Sequence, residues 1–341
     1  MCTAVTYKTK DHYFGRNLDL EYSYNEAVTI TPRNYAFIFR KMQKLKSHYA
    51  MIGMAYILEG YPLYYDATNE KGLSIAGLNF PENAEYKPYC DGKDNVTPFE
   101  LTPWLLGQCA TVSEAEKLLK RINLLNENFS EDLPLSPLHW IISDRERSIT
   151  LESVKEGIRI YENPVGVLTN NPAFDYHMFN LNNYMSLTKG KPANLFAGNN
   201  SNLQLKTYSR GMGALGLPGD ASSMSRFVRA TFVKMNSVSG DSESESVSQF
   251  FHILKSVEMQ RGCVHTGKDL YSITIYSSCC NTDRGIYYYS TYDNSQIYAV
   301  DLNKENLQGN SLIAYSLKKN QIIEHVNDTL LQKRLSKNPN V

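Results

Sequence analysis

Met1-Cys2-Thr3, read together with Phe14-Gly15-Arg16-Asn17-Leu18-Asp19, decides how the rest of the chain is interpreted. Methionine aminopeptidases remove Met1 when the second residue is small, so the mature chain is expected to begin at Cys2. Its thiol and its free α-amine then sit on neighbouring carbons. A free thiol with a pKa of about 8.5 is only about 3% thiolate at pH 7. The adjoining amine, with a pKa of about 7.7–8.0, is matched to take the thiol proton at neutral pH. An activated nucleophile needs a base and a group to orient that base; Arg16 suits a thiolate and Asp19 suits the amine. The same residues also read as an ordinary terminus followed by a hairpin ion pair. In a regular strand, residues three apart point to opposite faces, so Arg16 and Asp19 both reach Cys2 only if the chain turns or bulges near Leu18.

Outward from this stretch, residues 2–7 and 13–20 read as two strands around a turn at 8–11, a hairpin that starts at the nucleophile and holds the terminus in a sheet. Strands are also expected at 27–31, 49–55, 73–81, 139–143, 148–153, 158–161, 166–168, 271–277, 285–292, 297–302 and 311–317. Helices are expected at 97–110, at 113–125 with Ser113 and Glu116 as a capping box, and at 175–184, 223–235 and 247–259. That order of strands and helices fits two sheets with helices outside them. The aromatic or proline-broken stretches 22–24, 56–65 and 129–138 are too irregular for helices and either cover a core or line a pocket. Asn79 and Asn170 place side-chain amides where strands stop, able to donate to a developing oxyanion or simply to cap a turn. Arg226 lies in the first turn of its helix, against the helix dipole; it has another task or belongs to a surface ion pair. Residues 211–216 have the spacing of a dinucleotide-binding glycine turn, but their flanks lack the required strand and helix.

The 341 residues are 42% hydrophobic and 21% charged, which is globular composition. With 35 basic and 35 acidic residues the chain has no excess positive charge for nucleic acid. The basic run at 40–46 reads as solvated loop. No signal peptide opens the sequence and no apolar run reaches the roughly 18 residues of a membrane span, so a cytoplasmic protein is expected. Six cysteines without paired-knuckle spacing indicate neither a zinc site nor a disulfide frame. Cys279-Cys280 reads as a pair of buried thiols.

Several pieces occur together and in order: Met1-Cys2-Thr3, Phe14-Gly15-Arg16-Asn17-Leu18-Asp19, Gly72-Leu73 running to Gly77-Leu78-Asn79-Phe80-Pro81, Leu168-Thr169-Asn170, and Leu217-Pro218-Gly219-Asp220 followed by Ser225-Arg226-Phe227. From Cys2 to about Asn327 the chain resembles the choloylglycine hydrolases, bacterial N-terminal-nucleophile amidases that include conjugated bile salt hydrolases and penicillin V acylases. The resemblance implies an α+β fold, a four-layer αββα sandwich of two antiparallel sheets, in one domain over 2–327 with a polar tail over 328–341. It implies catalytic positions at Cys2, Arg16, Asp19, Asn79, Asn170 and Arg226, acyl transfer through a thioester, no metal or cofactor, and a homotetramer. Asn79 matches the bile-salt branch, since penicillin V acylases of similar pattern tend to have Tyr there; a penicillin V or N-acyl-homoserine-lactone acylase is the alternative. For a steroid trough the expected lining is Leu18, Tyr24, Leu58, Tyr65, Phe129, Leu133 and Leu138. Ser209-Arg210-Gly211 resembles a loop associated with taurine conjugates, which adds Ser209 and Arg210 as substrate contacts.

Overall fold

A computed structural model describes residues 1–196 and 202–328. The first strand, β1 (Cys2–Lys8), is rich in β-branched residues and pairs antiparallel with β2 (His12–Leu20), with Cys2 opposite Leu18 and Ala4 opposite Arg16. β2 also lies against the strand Ile273–Asn281. Gly15 allows that approach, because a Cβ there would stand 2.0 Å from the Ser278 carbonyl oxygen. The six-stranded sheet runs, in spatial order, Val167–Leu168, β1, β2, Ile273–Asn281, Ile286–Thr291 and Asn294–Asp301.

A second, eight-stranded sheet is built on β3 (Ala27–Thr31), β4 (Met51–Leu58), β5 (Tyr61–Asn69) and β6 (Ser74–Asn79). On the β3 side it ends in Ile313–Ser316; beyond β6 come Leu138–Ser143, Ser148–Val154 and Gly157–Glu162. Neighbours in both sheets are antiparallel throughout. Cys2, Leu18, Ile52, Met54, Ala76 and Leu78 share one buried cluster between the sheets. α3 (Phe174–Asn180), α4 (Ser223–Asn236) and α5 (Glu243–Lys255) cover the outer face of the six-stranded sheet, through residues such as Phe227, Phe250 and Leu254. α1 (Leu101–Leu106) and α2 (Val112–Leu119) cover the other, where Trp104, Leu105 and Val112 pack on Ile75 and Ile142. The architecture is the expected αββα sandwich.

Local readings differ in several places, among them the helix expected over 113–125, which stops at Leu119 and gives way to a strand at Ile122–Leu124 paired with Asp94–Val96. Residues 56–65 are a hairpin joining β4 to β5, turned at Glu59-Gly60 with φ of 51° and 78°; positive φ at both positions matches the twist of paired strands. The first helix is shorter than expected, because the Glu100 carboxylate accepts from Thr97 N and Arg40 N and makes 97–100 a turn. α2 is capped by Thr111, which accepts from Glu114 N while the Glu114 carboxylate accepts from Ala110 N, so Ser113 and Glu116 are not the box. The α5 helix starts four residues early, at a capping box of Ser242 and Glu245. The expected tail lies outside the described residues apart from Asp328.

Candidate active site

The start of β1 is where the two sheets and α4 meet. Because Cys2 is paired with Leu18, its side chain shares a face with Leu18 and Arg16, and all three line one cavity. Asn17 and Asp19 point the other way, Asn17 donating to the Leu254 carbonyl on α5 (3.0 Å) and Asp19 accepting from Thr274 Oγ1 (2.6 Å). No turn or bulge in β2 is therefore needed. Cys2 is a strand end, so its side chain takes the Arg16 face while its backbone nitrogen lies at the edge beside Asp19. The only register shift here is in the neighbouring strand, between Thr274 and Tyr276.

Asn170 ties these parts together. Its Oδ1 accepts from Cys2 N (2.8 Å) and from Arg226 Nη2 (2.8 Å), and its Nδ2 donates to the Asn79 carbonyl (2.7 Å). Arg226 also donates to Thr3 Oγ1 (2.7 Å), to the Cys2 carbonyl and, through Nε, to the Ala221 carbonyl (3.0 Å). This explains a cation in the first turn of α4: the guanidinium is fully buried and bonds backbone oxygens of other segments, so the surface ion pair is excluded. Arg16 crosses from one sheet to the other, its Nη1 donating to the Tyr65 and Gly77 carbonyls, while its Nη2 has no partner among the described residues. Asp19 Oδ2 is likewise buried and without a partner there. With Met1 in place, the Met1 amine donates to the Asp19 carbonyl (2.6 Å) and Cys2 N is an amide nitrogen. Removal of Met1 makes that nitrogen, bonded to Asn170 Oδ1, a free amine.

The charges are matched to burial. Desolvation works against the Arg16 cation, but the neighbouring Cys2, Tyr276, Asp66 and Asp19 groups hold its pKa above the ordinary value. Burial raises the pKa of the Asp19 carboxyl, opposed by Arg226, the amino terminus, Thr274 and Arg16. Burial also lowers the Arg226 pKa, against the pull of Asp19 and Cys2. The other interior thiols are suppressed: burial pushes Cys109 and Cys280 up to about 12, and Cys279 upward as well.

The cavity opening on Cys2 measures about 420 Å³, within the usual range of roughly 300–1,000 Å³ for small-molecule sites. Leu18, Tyr24, Tyr65, Phe129, Leu133 and Leu138 line it as expected, with Asn79 and Arg16. Leu58 does not: it lies two residues beyond Tyr56, which does, at the tip of the hairpin past the rim. Ser209 and Arg210 are exposed on a loop outside the cavity, so nothing places that cation against a bound sulfonate. Further lining comes from Leu20 and Phe99, and from Tyr56, Leu63 and Leu135 within the stretches read as core cover or pocket wall. The Glu59-Gly60 turn signal, read as a hairpin, would have brought Tyr56 and Leu63 to one wall. Thr3 and Ser223 carry no sequence signal for their contacts with Arg226 and with the Asn170 N–H (2.8 Å).

Residues 2–315 match the family model described as linear amide C-N hydrolases, choloylglycine hydrolase family. The chain is 61% identical over 318 residues to a bile salt hydrolase/transferase of Lactiplantibacillus plantarum, covering 93% of this chain and 97% of that one. It is 41% identical to a bile salt hydrolase/transferase of Clostridium perfringens, covering 96% and 100%. A crystal structure of a mutant conjugated bile acid hydrolase from Clostridium perfringens superposes with a TM-score of 0.88 at 39% identity, over 96% and 100% of the two chains. Penicillin V acylase from Agrobacterium tumefaciens shares the fold, with a TM-score of 0.74 at 20% identity over 94% and 93%. The chain belongs to the choloylglycine hydrolase family of linear amide C–N hydrolases.

Proposed function

We propose that this protein hydrolyses the amide bond of glycine- or taurine-conjugated bile acids, with Cys2 as nucleophile once Met1 is removed. The observation that carries the reading is the setting of Cys2: side chain in a largely apolar cavity beside Arg16, nitrogen bonded to Asn170. Cys2 sulfur attacks the amide carbonyl carbon and the thiol proton passes to the Cys2 α-amine. The tetrahedral oxyanion takes hydrogen bonds from the Asn79 N–H and from the second Nδ2 hydrogen of Asn170, the first being held by the Asn79 carbonyl. The C–N bond then breaks as the α-amine returns the proton to the departing nitrogen, leaving a bile-acyl thioester. Water adds to the thioester carbon, releasing the free bile acid and restoring the thiol. Asp19 holds the α-ammonium; Arg16 and Arg226 supply positive charge about the sulfur and the intermediate. Aromatic and aliphatic walls accept the steroid.

Residues 2–327 act as one domain in this reading, in a cytoplasmic homotetramer. The tetramer draws support from residues 176–219, which contain no Asp or Glu but carry four Lys or Arg. That segment exposes Phe179, Met185, Leu195, Phe196, Tyr208 and Leu215, large apolar side chains of the kind subunit contacts cover. Light scattering tests the assembly. The activity is tested by incubating native protein and Cys2→Ala with glycocholate, taurocholate and penicillin V in parallel. The native protein should cleave a bile conjugate fastest and the variant none of them. Faster cleavage of penicillin V, or an active Cys2→Ala, would remove the assignment.

A further inference from the structure

Behind the residues that face the cavity, two buried histidines donate to consecutive carbonyl oxygens. His139 Nε2 bonds the Thr169 carbonyl at 2.9 Å and His177 Nε2 bonds the Asn170 carbonyl at 2.8 Å. Neither ring is exposed at all. Each lies flat on a phenyl ring: His139 on Phe80 (centroids 4.3 Å, 5° between planes) and His177 on Phe227 (4.6 Å, 24°). Phe80 follows Asn79 and Phe227 follows Arg226, so each ring is stacked on the direct neighbour of a residue that bonds the Asn170 side chain.

The support closes on itself. Glu152 Oε1 meets His139 Nδ1 at 3.2 Å and accepts from Phe174 N at 2.9 Å, at the start of α3, the helix that carries His177. Ser223 Oγ accepts from Asn170 N and donates to Thr169 Oγ1. The backbone of residues 169–170 is thus fixed from three sides, while the Asn170 carboxamide projects to Cys2, Arg226 and Asn79. Because a carbonyl only accepts, His177 must carry its proton on Nε2. Burial lowers its pKa to about 4, so the ring is neutral in the working range and keeps that donor without burying a charge.

We propose that His177 is a positioning residue for the amide hydrolysis: its Nε2–H locks the Asn170 carbonyl, and through it the carboxamide offered to the oxyanion. It rests on the reading of this site as an amidase but assigns a residue that touches neither sulfur nor substrate. A carboxamide free to rotate or shift would weaken the transition state more than the bound substrate, so the loss belongs in kcat and not in KM.

The test is a double-mutant cycle on glycocholate hydrolysis, with His177→Phe, His177→Gln, Asn170→Ala and the Asn170→Ala/His177→Phe pair. His177→Phe keeps a flat ring on Phe227 and removes the donor; kcat should fall at least tenfold while KM stays within about threefold. In the Asn170→Ala background the same change should cost less than threefold, because the group it positions is gone. His177→Gln, whose Nε2 can donate from a similar place, should hold kcat within threefold. Iodoacetamide should still label Cys2 in folded His177→Phe, since its side chain keeps its place in the cavity beside Arg16. Equal losses from His177→Phe with and without the Asn170 carboxamide would mean a merely structural role and overturn the proposal. A folded His177→Phe of native kcat would do the same. If His177→Phe does not fold, a tenfold kcat loss in folded His177→Gln is the refuting result. Failure of the amidase reading itself shows up separately, as an active Cys2→Ala.

Discussion

Replacing Asn170 by Asp separates the chemistry of the site from its packing. The change keeps shape and keeps an oxygen for Arg226 Nη2 and Cys2 N, both at 2.8 Å, but it removes the two hydrogens of Nδ2. One of those hydrogens is held by the Asn79 carbonyl at 2.7 Å and the other is the oxyanion donor of the proposed mechanism. Loss of one such donor costs about 10²–10³ in kcat, or roughly 3–4 kcal/mol of transition-state stabilisation. Asn170→Asp should therefore lose at least about a hundredfold in kcat but less stability than Asn170→Ala, because the carboxylate keeps the Arg226 and Cys2 bonds and strands only the Asn79 carbonyl. Asn170→Ala should lose activity and stability together. It strands the Arg226 donor, the Cys2 nitrogen and the Asn79 carbonyl, at about 1–3 kcal/mol for each buried group left unsatisfied. Steady-state hydrolysis of glycocholate and thermal melting of both variants are the assays. Asn170→Asp with kcat within tenfold of native would refute the placement of the oxyanion.

Other predictions concern the fold, the charges and the cavity. Gly15→Ala drives a methyl group to 2.0 Å from the Ser278 oxygen, backbone against backbone, and should destabilise by about 3 kcal/mol or more in denaturant melts; a native midpoint would contradict the packing. Burial lowers the pKa of His12, like that of His177, from 6.5 to about 4. Between those values the unfolded chain binds protons that the folded one refuses, so stability is complete above pH 6.5 and lost as pH falls toward 4. The loss is at most about 3 kcal/mol per histidine. Urea midpoints across pH 4–7 should show it, and His12→Asn should flatten the slope. Phe129→Ala removes a wall of the cavity and should raise KM for glycocholate about tenfold with kcat little changed. Arg210→Ala should leave the taurocholate-to-glycocholate ratio within twofold, since Arg210 is exposed and outside that wall; a large fall in the ratio would restore it as a substrate contact.

What was legible in the sequence was whatever depends on local pattern or on residue type. Alternation along β1 and β2 exposed the hairpin, and the helices outside the sheets followed from their periodicity. The six proposed catalytic positions rest on resemblance, because each has a particular side chain at a particular offset. What periodicity could not reveal was which face of β2 each residue serves. The apparent conflict between Arg16 and Asp19 dissolved only when Cys2 proved to be a strand end with its sulfur and nitrogen on different sides. Register also hid Tyr56 and Leu63, since a strand rich in tyrosine and broken by Pro62 looks like a loop until its partner is known. His139 and His177 were silent for a different reason. Their partners are backbone carbonyls of residues 30 and 7 positions away, and a carbonyl has no signature in the sequence.

The central claim is that trimming Met1 makes Cys2 the reacting group. Peptide mapping during titration with iodoacetamide tests it most directly. Cys109, Cys279 and Cys280 are buried and held protonated, which leaves Cys2 with the exposed Cys90 and Cys263 as reactive thiols. The N-terminal peptide of active protein should begin at Cys2, and loss of glycocholate hydrolysis should track its alkylation one for one. Active protein that retains Met1, or full activity with Cys2 completely alkylated, would contradict the account.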